Sequence, residues 1–231
     1  MVYDYQLIWF YNMEPGNMIC AENLSKDMKN LKTLGLNGMS SCQSQRVFWP
    51  TALPMVTMAE TLWNRDTDYE NFKNAYLTDA FGKDGIKLGE LLAKLGNRRI
   101  SSLMCSNDAL EWQKTAGEET IKELSEAYPA IEELTALIEK NLLDTSHHNA
   151  VKCSWEYLKL YPEFIKMYID VWVSSYGEAN VEKTRKLAIE IMRYVRDNET
   201  ELHRVFDEVL FYRRMDYFFN TRRLPGVVLN M

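Results

Sequence analysis

The sequence is poor in the features that most often announce a function. Its 231 residues hold three histidines, four cysteines, six prolines and ten glycines. Cys20, Cys42, Cys105 and Cys153 fall in four different segments, and no two form a CxxC clip. Reduced, partly buried thiols are the expectation, with a single disulfide as the alternative. So few prolines and glycines exclude long structureless linkers and low-complexity scaffolds. No apolar run approaches the ~20 residues of a membrane span. The start, Met1–Tyr5, carries neither the basic nor the apolar region of a secretory signal. A cytoplasmic location with no membrane partner is the expectation. There is no Gly-rich phosphate loop, no nicotinamide fingerprint and no nucleophile-elbow serine, so no cofactor is expected.

Basic charge is also short. Lys and Arg number 27 against 33 Asp and Glu, a net charge of −6. A nucleic-acid binder needs a basic face and a membrane-surface protein needs basic clusters, so neither partner is expected. What the chain does have is an ordinary globular balance, 46% hydrophobic and 26% charged, with 12% aromatic residues. That is enough for a sizeable core or an aromatic-lined sugar site. The charge is uneven: residues 1–116 carry net −1 (12 basic, 13 acidic) and residues 117–231 net −5 (15 basic, 20 acidic). A composition shift therefore falls near Gly117.

Val2–Phe10 alternates aromatic and polar residues and reads as a strand. Glu14-Pro15-Gly16-Asn17 is a turn signal. Ala21–Leu34 reads as an amphipathic helix, with Leu24, Met28, Leu31 and Leu34 on one face and Gly35 where a left-handed cap belongs. Leu36–Cys42 reads as a second strand. Strand, helix, strand in this order is a βαβ unit, so the strands should be parallel. Thr51–Trp63 reads as a largely buried helix. Asp68–Phe81 follows, with Asp66 or Asp68 as cap and Gly82 as stop, and then Asp84–Leu95. Arg98–Ser106 reads as a loop.

From Gly117 onward the pattern is helical throughout. Helices are expected over Glu118–Leu143 with a break at Pro129, and over Ser146–Tyr176 divided by Pro162. Val181–Arg196 and Thr200–Asn220 complete the set. The fold class is thus mixed α/β and α, mostly helical: a partial (β/α) barrel-like βαβ segment followed by an antiparallel α-helical bundle. Helix content of about 60–70% is expected, well above the ordinary share. The expected division is 1–97, a connector at 98–116, and a bundle at 117–231.

Three stretches together carry a resemblance. They are Tyr3-Asp4-Tyr5 through Trp9 to Pro15-Gly16, Leu34-Gly35-Leu36-Asn37-Gly38 into Ser41–Arg46, and Trp49-Pro50-Thr51-Ala52-Leu53-Pro54 through Ala59-Glu60-Thr61-Leu62-Trp63-Asn64. The combination resembles the bacterial domain of unknown function numbered 4838, a carbohydrate-active, glycosidase-like family. The likeness covers about residues 2–97. Leu202–Asp207 looks like the helical region that follows. A more distant similarity is to the barrels of glycoside hydrolase family 20, in the order Gly38, Trp49-Pro50 and Met58–Trp63. The Trp–Glu element of that family is replaced here by Cys42-Gln43-Ser44-Gln45, so its carboxylate is absent. The resemblance implies the C-terminal part of a TIM-barrel-like glycosidase domain, since a closed barrel needs roughly 200 residues or more.

Glycoside hydrolysis usually uses two carboxyl groups roughly 5–10 Å apart. In a barrel they sit at the C-terminal ends of strands. Those ends here offer Trp9, Tyr11 and Asn12, then Gln43, Gln45 and Arg46. Glu14 lies further out, in a turn. Catalysis within this chain alone is not expected. Trp9, Tyr11, Gln43, Gln45, Arg46 and Trp49 are the candidate carbohydrate contacts, by stacking or hydrogen bonding, and core packing is the bland reading for the two tryptophans. His147 and His148 diverge by about 100° on a helix, so no metal site is expected. Arg213-Arg214 and Arg222-Arg223, interleaved with Tyr212 and Tyr217–Phe219, are read as partners of acidic helices. Self-association, or joining to the N-terminal barrel portion of a longer protein, is the expected partnership. The alternative function is a stand-alone helical interaction or carbohydrate-binding module without enzymatic activity.

Overall fold

The computed structural model describes residues 1–4, 7, 14–43, 45–96, 118–178 and 180–216, without the side chains of 119, 120, 176 and 177. Of these residues 72% are helical, and the described sheet has two strands. Strand β1 (Val2–Asp4) pairs in parallel with β2 (Met39–Ser41), with Tyr3 opposite Ser40. Helix α1 (Met18–Asn30) lies between them in sequence. The parallel βαβ order is as the pattern predicts.

The strand expected over Val2–Phe10 is shorter. Among the described residues β1 ends at Asp4, whose carbonyl accepts from Cys42 N at 2.9 Å. Leu7 is helical and buried beside Cys20, Leu24, Met28 and Val47. Residues 5–6 and 8–13 lie outside the described set.

Helix α1 begins three residues earlier than its apolar periodicity suggests and stops at Asn30, four residues earlier. Turns carry the chain to Gly35, at φ 71°. There Leu36 N donates to Leu31 O at 2.9 Å and Gly35 N to Lys32 O at 3.0 Å. This pair of bonds is the Schellman arrangement, and it needs a residue that tolerates the left-handed region.

Helix α2 (Leu53–Trp63) carries Pro54 in its first turn, where no intrahelical donor is lost. It buries one stripe, Leu53, Thr57 and Thr61, and packs on α1. The expectation of a largely buried helix is corrected at its end: Leu62 is exposed and Trp63 is 91% exposed. Both point roughly 120–140° from the centre of that stripe at 100° per residue, away from the face packed on α1.

Helix α3 (Tyr69–Phe81) starts where Asp68 Oδ1 accepts from Asn71 N at 2.8 Å, and it stops at Gly82, φ 71°. A short 3₁₀ turn leads into α4 (Gly85–Gly96). Residues 97–117, including the expected loop, the connector and Cys105, lie outside the described set.

The second half continues as α5 (Glu118–Ser125), α6 (Ala127–Leu143), α7 (Asn149–Leu158), α8 (Tyr161–Trp172), α9 (Val181–Asp197), α10 (Glu199–Leu202) and α11 (Glu208–Asp216). The two proline positions divide helices as expected. Pro129 falls in the first turn of α6 and Pro162 in the first turn of α8. A π turn, Val173–Gly177, follows α8. The single helix expected over Thr200–Asn220 is instead two, α10 and α11. Residues 205 and 206 leave the helix to meet residues 47 and 48: Val47 bridges Phe206 antiparallel, and Phe48 N donates to Val205 O at 3.0 Å. Asp207 then restarts the helix by accepting from Leu210 N at 3.0 Å.

Helix α4 packs on α6, α6 on α7 and α8, and α8 on α9. One hydrophobic cluster joins Met18, Trp49, Leu53 and Leu92 to Tyr161, Phe164, Phe206 and Met215. The βαβ half and the helical half thus share a core. No helix among the described residues is long and apolar enough to cross a membrane.

Candidate functional site

The loop after β2 is the part of the described structure that brings sequence-predicted contact residues together. Gln43 is exposed. Gln45 N donates to Asp207 Oδ2 at 3.0 Å. Arg46 Nη1 pairs with Glu208 Oε2 at 3.2 Å, and its Nη2 reaches Gln45 Oε1 at 3.4 Å. Glu208 is buried, so its carboxylate needs this cation. Gln45 and Arg46 therefore stitch the end of β2 to the start of α11. Trp9, Tyr11 and Asn12 lie outside the described residues.

Trp49 sits elsewhere. It is 2% exposed, its Nε1 donates to Tyr157 O at 2.7 Å, and its ring lies 5.0 Å from Tyr161, 4.9 Å from Phe164 and 5.2 Å from Phe206, centroid to centroid. The ring and the N–H are both used within the fold, and that is a packing role.

Glu14 is the most perturbed carboxyl of this region. It is 3% exposed, beneath the start of α1. Its Oε2 accepts from Cys20 N at 3.0 Å, and its Oε1 has no hydrogen-bond partner among the described residues. Burial pushes its pKa up to about 8, against the opposing pull of the Cys20, Ile19, Met18 and Asn17 backbone N–H groups. The surrounding loop is clamped. Asn17 Nδ2 donates to Thr51 O at 2.8 Å, Thr51 Oγ1 donates to Asn17 Oδ1 at 3.0 Å, and Tyr161 Oη donates to Pro15 O. A Cβ on Gly96 would fall 1.9 Å from Glu14 Oε1, so glycine there makes room for the carboxyl. Burial, with Glu14 and Asp4 adding to it, also raises the Cys20 thiol, which stays protonated. Asp4 accepts from Ser41 Oγ at 3.0 Å across the sheet.

Glu60 accepts from Thr67 Oγ1 at 2.7 Å and so ties α2 to the following turn. His147 Nε2 lies 2.8 Å from Asn141 Oδ1, and His148 precedes α7 as its cap position. Among the described residues no group of three or more His, Cys, Asp or Glu could hold a metal ion.

Asp207 and Glu208 are the residues of this region that the sequence pattern hid. Their signal was an Asp three residues before Leu210, a helix start inside an otherwise continuous helical pattern. Comparison with protein families, curated proteins and solved structures finds no match for this chain.

Proposed function

We propose that the chain is the C-terminal portion of a carbohydrate-active, glycosidase-like protein and has no hydrolytic activity by itself. In this reading residues 1–97 are the end of a TIM-barrel-like domain, 98–116 a connector and 117–231 an antiparallel helical bundle. The observation that carries it is the two-stranded parallel sheet of the described residues. A two-stranded unit is marginal alone, and its outer edges are templates for further strands. Tyr3 on β1 and Leu62 and Trp63 at the end of α2 are exposed large side chains of the same half. Gln43, Gln45 and Arg46, at the C-terminal end of β2, are where such barrels bind substrate. Trp9 and Tyr11 belong to the same proposed rim.

Sedimentation velocity at low micromolar concentration, with hydrogen exchange, tests the reading. The expected result is self-association, or rapid exchange of the Val2–Asp4 amides until a partner strand is supplied. A clean monomer with protected Val2–Asp4 amides refutes it. Aryl-glycosides of hexoses, hexosamines and uronic acids should not be turned over, and turnover abolished by Glu14→Gln would place the acid catalyst in this chain.

One observation favours the second reading, a stand-alone interaction or carbohydrate-binding module. Among the described residues one buried cluster joins Met18 to Met215. A clean, protected monomer would support this alternative.

A further inference from the structure

A concavity of about 450 Å³ lies between the end of α7 and the segment Asn198–Arg204 that contains α10. Tyr157, Leu160 and Leu202 form its apolar side. Glu156, Glu201, Lys159 and Arg204 form its polar side. Among the described residues none of these four charged side chains makes a hydrogen bond or an ion pair. The groove of about 390 Å³ beside α1, α3 and α4 differs. There Glu22, Glu70 and Glu90 already have Lys26, Lys73 and Lys87 at 2.5, 2.6 and 3.8 Å.

His203 lines the same concavity, with Nδ1 2.7 Å from Thr200 O. A carbonyl only accepts, so Nδ1 carries a hydrogen in this contact. The wall therefore offers two cations, two carboxylates and an imidazole. An anionic ligand would meet both carboxylates and a cationic one both cations. A neutral ligand with many hydroxyls can donate to the carboxylates and accept from Lys159 and Arg204. Tyr157 supplies the apolar surface on which a pyranose ring packs its C–H face.

We infer that this concavity binds a neutral saccharide, with Tyr157 as its apolar wall and Glu201, Arg204 and Lys159 as hydroxyl partners. The choice of a sugar among neutral hydroxylated ligands rests on the carbohydrate reading above. The site binds without covalent chemistry.

Cys153 lines the concavity and is exposed, so it reports occupancy. In a Cys42→Ser, Cys105→Ser chain, buried Cys20 is the one other thiol. Labelling of Cys153 by an aromatic disulfide is timed with methyl glycosides of glucose, galactose, mannose and N-acetylglucosamine. Glucuronate and glucosamine serve as charged controls. At least one neutral glycoside should slow labelling about threefold or more at saturation, and the charged controls should not. Arg204→Ala and Glu201→Ala, both at exposed positions, should each weaken that protection about fivefold or more. No protection by any neutral glycoside overturns the inference, as does better protection by a charged sugar. If saturation-transfer NMR detects a bound glycoside that neither protects Cys153 nor responds to the two variants, the sugar sits elsewhere. That result overturns this site and leaves the proposed function standing, because sedimentation and amide exchange judge the latter.

Discussion

Glu14→Gln should turn a pH-dependent fold into one far less sensitive between pH 4.5 and 8. The carboxyl has an ordinary value of 4.5 and sits at about 8 in the folded chain, with burial as the main cause. Between those values the folded chain holds a proton that the unfolded chain has released. Stability attributable to this group is therefore full below 4.5 and is lost as pH rises through about 8. At about 1.4 kcal/mol per tenfold change in proton affinity, the distance from 4.5 to about 8 corresponds to about 5 kcal/mol. That figure is an upper bound, because local opening would let water reach the carboxyl. Glutamine keeps the shape and the acceptor for Cys20 N but cannot ionise. Urea denaturation followed by circular dichroism at pH 5.5, 7 and 8.5 measures the effect. Wild type should lose several kcal/mol across the series relative to the variant, and the variant should be the more stable at pH 8.5. Groups other than Glu14 cancel in the difference between the two chains. Parallel pH profiles for the two chains would refute the assignment of a buried, reluctant carboxyl.

Trp49→Ala removes a ring that touches Tyr161, Phe164 and Phe206 and should cost about 3–5 kcal/mol in the same denaturation assay. Trp49→Phe keeps most of the packing but orphans the Tyr157 carbonyl, for a loss of about 1–2 kcal/mol. An unchanged stability in Trp49→Phe would deny the hydrogen bond any weight, and equal losses in the two variants would deny the ring contacts theirs. Asp207→Ala removes the cap of α11 together with the acceptor for Gln45 N, and should cost about 0.5–2 kcal/mol. Asp207→Asn should recover part of it. Asp84 accepts from Lys140 at 2.7 Å and from Asn141 at 3.0 Å, and these bonds lower its pKa. Its contribution is present above the ordinary carboxylate range and fades as pH falls through its lowered value. Asp84→Asn should therefore reduce Tm at pH 7 and leave it unchanged in strong acid.

Local signals determined much of the secondary structure. Asp68 and Gly82 bracket α3 because a side-chain acceptor and a left-handed residue act within a few positions of themselves. Pro129 and Pro162 open α6 and α8 by the same short-range logic, since a missing N–H is tolerated in a first turn. Gly35 ends the turn that follows α1 for the reason its type implies. The parallel sense of the two strands also followed from order alone, because a helix-length crossover does not permit a tight hairpin. The sequence did not show where those strands stop, because a ladder lasts only as long as its partner. Nor did it show that residues 205 and 206 would leave a helix to meet residues 47 and 48. The propensity of Thr200–Asp216 is helical, and the contact that overrides it comes from the far end of the chain. Trp49 and Trp63 are indistinguishable as sequence symbols. One is sealed in the core by Tyr157 and three aromatic rings, and the other stands in solvent at the end of α2. Tertiary structure alone decided that difference, as it did the reluctance of Glu14 to ionise. Burial and electrostatic surroundings are sums over residues from both halves of the chain, and helical or strand periodicity carries no record of them.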